Sequence, residues 1–169
     1  VTGWATDLHA FSIPPQTRFV VDASQTVGYL PLDVNAAKID VLAAAGHKGL
    51  GAIGGTGFVY VRRELQQGFA PLLRGGTGRN SHSKDAEPEW PENVEVGNLN
   101  LPGIVSMAVA AENLLADVEL SEWKPAFSRL LDGLQKLSQA GVQVVGGLPT
   151  LHDLDQHVPV VSLLVDGWD

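Results

Sequence analysis

The chain has 169 residues, enough for one domain or for one domain and part of a second. Its 11 Lys and Arg stand against 19 Asp and Glu, a net charge of −8 with no basic run, which argues against a nucleic-acid surface. It has no cysteine, hence no disulfide, cysteine nucleophile or Cys-based metal site; no metal site of any kind is expected, no apolar stretch reaches membrane-span length, no signal peptide is visible, and a soluble cytoplasmic protein is the expectation.

Val1-Thr2-Gly3-Trp4 is an abrupt start, and the chain reads as a fragment or a partial gene product. Residues 4–17 read as a helix-and-loop connector that Pro14-Pro15 stops, with His9 on its surface. Phe19 to Val21 is a short apolar run suited to a buried parallel strand. Asp22 closes it and Gln25 follows three residues later. Tyr29 to Asp33 reads as a second extended piece, with Asp33 as N-cap of a short helix near 34–38. Asp40 reads as a turn residue. Ile39 to Ala44 is the next strand, and it delivers Gly46-His47-Lys48-Gly49. Ala44, Ala45 and Gly46 leave open space there, in which a desolvated lysine can act as a nucleophile toward a carbonyl. A surface lysine on a glycine-rich loop fits the same residues.

Gly49 to Gly54 matches G-x-G-x-x-G, but the strand-like Phe58 to Val61 follows where a dinucleotide site needs a helix. Those glycines instead suit a tight turn. Pro71 to Gly78 leads into a Gly-Gly-Thr-Gly turn whose N–H groups and Thr77 hydroxyl suit a phosphate. Residues 79–93, including His82, read as a long irregular loop. Pro102 opens a helix of about 101–118 with Ile104, Ala108, Ala111 and Leu115 on its buried face. Ser121 caps a second helix of about 122–140, with Pro125 in its first turn and Phe127, Leu130, Leu131, Leu134 and Leu137 as its apolar stripe. Gly141 ends it, and strands are expected at Val142 to Val145 and Pro159 to Val165.

In open α/β sheets ligands bind at the carboxyl ends of strands, so Asp22 and Lys48 share an edge if their strands are neighbours. A carboxylate and an amine at one edge suit a cofactor with a basic ring nitrogen and an aldehyde, which is pyridoxal 5'-phosphate. Here the stretch VVDASQTVGYLPLDVNAAKIDVLAAAGHKGLGAIGGTGFVYVRRE resembles the cofactor-binding core of the class V aminotransferase family, the fold-type I pyridoxal-phosphate enzymes. The shared pattern is a strand ending in Asp-x-x-Gln, a Gly-His-Lys-Gly loop, then Gly-Thr-Gly leading into a strand. LLRGGTGRNS and ENVEVGNLNLPGIVSM resemble the cysteine desulfurase and selenocysteine lyase branch.

The resemblance implies an α/β fold: an incomplete large domain at residues 1–118, mostly parallel sheet with flanking helices, and the start of a small α+β domain at 119–169. It implies a pyridoxal-phosphate enzyme acting on an amino acid, cysteine desulfurase-like or a class V aminotransferase, with a Schiff base on Lys48. Asp22 would pair with the ring nitrogen, Gln25 would donate to the ring hydroxyl oxygen, and His47 would contact the phosphate or the region of the lysine linkage. Thr77 would reach the phosphate of a partner's cofactor, giving a homodimer with shared sites. Ala45 departs from the pattern, standing where many relatives carry a phosphate-binding Ser or Thr. Asn93 stands where an Arg is usual, and Asn98-Leu99 replaces the commoner Thr-Pro. The alternatives are a non-catalytic remnant of the fold used as a binding or dimerisation module, and a nucleotide-binding protein using Gly49 to Gly54.

Overall fold

The computed structural model describes residues 2–70, 90–117 and 122–168. Thr77, His82 and Ser121 lie outside the described residues.

The first sheet is built on β1 (Val20–Asp22), β2 (Val41–Ala45) and β3 (Gly57–Val61), in that order. β1 and β2 run parallel, with Val20 opposite Val41, Val21 opposite Leu42 and Asp22 opposite Ala43. β3 returns antiparallel to β2, with Val41 opposite Val61 and Ala45 opposite Gly57. The sheet is therefore mixed, with β2 at its centre. Alternation along β2 buries Leu42 and Ala44. They join Ala23, Ala37 and Ile39 in one core, against which Phe19, Val21, Val27, Val34 and Tyr60 pack. Ile39 and Leu42 are essentially inaccessible to solvent. Each such burial contributes about 1.5–3 kcal/mol.

Residues 23–40 cross from β1 to β2 through turns rather than helix. Asp33 does cap, accepting from the N–H groups of Asn35 and Ala36, but the segment after it forms only turns. Tyr29 to Asp33 pairs with no strand. Asp40 has a larger part than a turn residue. It accepts from the Phe19 N–H at 2.9 Å and forms an ion pair with Arg62 at 3.1 Å, while Arg62 also donates to the Ile39 carbonyl. This clamp ties all three strands together at the edge opposite the Gly-His-Lys loop.

The first long helix, α1 (Leu101–Asp117), has the expected bounds but a different inward face. Gly103 is buried and Ser106, Met107, Ala110, Ala111 and Leu114 are half-buried. Ala108 and Leu115 face out, and Ile104 is exposed. An almost wholly apolar helix offers several stripes at helical spacing. The small Gly103 decides between them, because it lets the helix approach Thr56.

A second core lies on α2 (Lys124–Leu137), where Phe127, Leu131 and Leu134 are buried. Leu130 and Leu137 sit at the margin, each about half exposed. Pro125 stands in the first turn. A 3-10 turn at Ser138–Ala140 follows, and Gly141 ends it in the left-handed region. Leu154 joins Phe127 and Leu131, with Trp123 and Val161 packed on them. β4 (Val142–Val144) and β5 (Leu163–Val165) form an antiparallel pair. The amino-terminal segment docks here as well. Trp4 bridges to His157, the Gly3 carbonyl accepts from Val158 and Ala5 donates to the Gln156 carbonyl. The connector expected to be partly helical holds only a 3-10 turn at Leu8–Ala10.

Candidate active site

The parallel register of β1 and β2 decides the site. Asp22 lies opposite Ala43, and His47 and Lys48 follow two and three residues after β2 ends at Ala45. The carboxylate and the amine therefore leave the sheet at the same edge. The Ala23 N–H donates to the Ala43 carbonyl at 2.8 Å and carries the pairing one step past the strand end.

Asp22 is exposed and held ionised. Its carboxyl lies below the ordinary value because the Ser24 side chain donates to it; the Ser24 backbone N–H and the positive charge of Lys48 act in the same direction, against a small opposing effect of burial. The Ser24 N–H to Asp22 Oδ1 distance is 2.9 Å. Lys48 is exposed. Neither its amine nor the exposed Gln25 amide takes a hydrogen bond or ion pair among the described residues.

Two close approaches bring the turn after β1 against the lysine loop. Gly28 has φ +90°, and a Cβ there would collide with the backbone of Gly49 and Leu50. Only glycine allows this contact. The Tyr29 ring lies against Gly49 on the same side. The chain that carries Asp22 and Gln25 thus supports the residue next to Lys48.

Thr56, buried at the entry to β3, organises the other side of the loop. Its carbonyl accepts from the Gly46 N–H at 2.9 Å and lies 3.3 Å from His47 Nδ1. Its hydroxyl donates to the Ile53 carbonyl at 2.7 Å. The loop also closes through the Ala52 N–H to the Gly46 carbonyl and the Gly51 N–H to the Lys48 carbonyl. Helix α1 forms the wall behind it. Ser106 Oγ accepts from the Ile53 N–H at 3.0 Å, and Met107 lies beside Gly46.

Four of the five expected site residues, Asp22, Gln25, His47 and Lys48, fall on described residues, and their backbones share this edge. Thr77 lies outside them. Ser24, Thr56 and Ser106 were missed by sequence reasoning. Ser24 carried a signal, since a Ser two residues after an Asp can donate to it; Thr56 was visible only as part of Gly-Thr-Gly. Gly49 to Gly54 runs into β3 and not into a helix, so no dipole is available for a pyrophosphate. A separate cleft of about 340 Å³, lined by Asp7, His9, Thr26, Asp33 and Asp155 among others, includes neither Asp22 nor Lys48. Among the described residues no group of His, Asp and Glu could hold a metal ion. No helix among them is long and apolar enough to cross a membrane.

The donor set fits pyridoxal phosphate on its chemistry. An ionised carboxylate suits a protonated pyridine nitrogen, and an amine with no hydrogen bond or ion pair among the described residues suits an aldehyde.

Comparison with known proteins points the same way. The family model for Aminotransferase class-V matches residues 2–153. A probable cysteine desulfurase of Pyrococcus abyssi is 34% identical over 155 residues, which cover 87% of this chain and 36% of that protein. A cysteine desulfurase of a Nostoc species is 38% identical over 118 residues, 70% of this chain and 25% of that protein. The apo structure of a cysteine desulfurase from Thermococcus onnurineus superposes with a TM-score of 0.71 at 30% identity, covering 89% of this chain and 37% of that one. The cysteine desulfurase CsdA of Escherichia coli gives 0.68 at 26% identity over 90% of this chain and 37% of its own. The chain thus spans about a third of the length of these relatives.

Proposed function

Because this chain belongs to the class V aminotransferase family, we propose that it carries the cofactor-binding edge of a pyridoxal-phosphate enzyme of the cysteine desulfurase type, acting on an amino acid. The observation that carries the reading is the register of β1 on β2. It sets an ionised Asp22 near enough to Lys48 for the two charges to interact.

In this reading Lys48 would hold the cofactor at its aldehyde and, when free, would move protons at the cofactor C4′ carbon or the substrate α-carbon. When bound, pyridoxal phosphate supplies an electron sink for that carbon. Asp22 holds the proton on the ring nitrogen, and Ser24 keeps Asp22 ionised for that task. Gln25 donates to the ring hydroxyl oxygen. His47 would contact the phosphate or the region of the lysine linkage. Ala45 offers no hydroxyl there, so the phosphate depends on other groups, of which Thr77 from a partner subunit is the proposed one. Homodimerisation with shared sites belongs to the same proposal and rests on the resemblance, while a cytoplasmic location is the default expectation from the sequence. The separate core on Phe127, Leu131 and Leu154 supports reading residues 119–169 as the start of a smaller domain. With no cysteine in this chain, a sulfur-accepting thiol would come from elsewhere.

The test is absorbance of the purified chain with added pyridoxal phosphate, then borohydride reduction and peptide mapping. A reduced adduct on Lys48, lost in Lys48→Ala, is the expected result. A folded chain that gives no adduct, or an equal adduct in Lys48→Ala, overturns it. The first of these outcomes would favour a binding or dimerisation module on the same fold.

A further inference from the structure

His47 has two ring nitrogens, and the structure gives them different duties. Nδ1 faces the Thr56 carbonyl at 3.3 Å. A carbonyl oxygen only accepts, so a hydrogen bond there requires the proton on Nδ1. The neutral ring then keeps its lone pair on Nε2. That nitrogen makes no hydrogen bond among the described residues. The contact persists only while Thr56 holds its place. Three bonds hold it: its own hydroxyl to Ile53, the Gly46 N–H to its carbonyl, and the Ile53 N–H to Ser106 on α1.

We infer that Thr56 is a positioning residue that fixes His47 as the Nδ1–H tautomer, leaving Nε2 as the acceptor of the ring. An unprotonated phosphate oxygen is an acceptor too, so a bond between the two needs a proton between them, brought by a phosphate P–OH or held on Nε2. The inference rests on the proposed function only in the identity of the anion.

The test uses the whole chain with ¹⁵N-labelled histidine, the His47 signals being assigned by their loss in His47→Gln. Without ligand, Nδ1 should show the protonated and Nε2 the unprotonated shift above the range in which histidine charges. Thr56→Val keeps the methyl against Gly103 but loses the hydroxyl bond, and should give a mixture of tautomers. Thr56→Ser keeps the hydroxyl and should restore the single form. An Nε2–H tautomer in the parent chain, or no difference between the two variants, overturns the inference. If pyridoxal phosphate leaves no adduct on Lys48, the functional reading fails, while the tautomer measurement still decides this inference.

Discussion

Gly46→Ala tests how tightly the lysine loop is held. A Cβ at Gly46 would stand 2.7 Å from Thr56 Oγ1, 3.0 Å from Met107 Sδ and 3.2 Å from Thr56 Cβ. Met107 can swing aside, but Thr56 cannot without giving up its bond to Ile53. Overpacking of this kind costs about 1–3 kcal/mol. Replacing Gly by Ala also restricts the unfolded chain, which returns about 0.4–1 kcal/mol. The net destabilisation is about 1–2 kcal/mol, or roughly 2–8 °C in Tm for a chain of this size. Gly54→Ala is the internal control. It lies on the same loop, its Cβ would meet nothing within 4 Å, and its φ is outside the left-handed region. It should match or slightly exceed the parent in Tm. Thermal unfolding by circular dichroism reads both variants, and borohydride trapping on Lys48 reads the site. Gly46→Ala should lower the trapped fraction while Gly54→Ala keeps it. Equal melting and equal trapping in the two variants would refute the packing argument.

Asp22 has a lowered carboxyl, so its interactions stabilise the folded chain at pH values above the unfolded value of about 3.9 and are lost as pH falls through the lower folded value. Ser24→Ala removes the largest cause and should move the Asp22 midpoint upward, as followed by carboxyl ¹³C shifts; an unmoved midpoint would assign the effect to the Ser24 backbone N–H and Lys48 instead. Asp40→Ala strips the Phe19 N–H and Arg62 of their shared partner and should destabilise by about 1–3 kcal/mol in urea unfolding, with no direct effect on the opposite edge where Lys48 lies. Loss of Lys48 trapping out of proportion to the stability change would contradict that separation.

The site edge was legible because its signals are local. A short apolar run ending in Asp22 and another ending in Ala-Ala-Gly each announce where a strand stops. What joins them is not local. The antiparallel return of β3 and the register of Asp22 on Ala43 come from pairing across long stretches of chain, which no window reports. The face of α1 was misread because nearly every position on it is apolar, so Ile104 and Leu115 fit a stripe as well as Met107 and Leu114 do. Contact with Thr56 settled the matter, through a glycine too small to register as hydrophobic. Asp40 looked like turn chemistry because its partners, Phe19 and Arg62, are about twenty residues away in each direction. Gly28 likewise reads as loop composition until Gly49 is seen against it.

The bridge between Trp4 and His157 sets a timetable for the chain. His157 is wholly enclosed, its ring stacked on Phe127 with Trp4 edge-on to it. Residues 2–5 are among the first of this sequence to be made, and Gln156 to Val158 among the last. At about 5–20 residues per second, synthesis separates them by roughly 8–30 s. Closing so large a loop opposes folding by about 4 kcal/mol, against about 2–3 for the span between β1 and β2. The first sheet can therefore pair while the amino-terminal strap is still loose. The strap seats only once Gln156 to Val158 have been made.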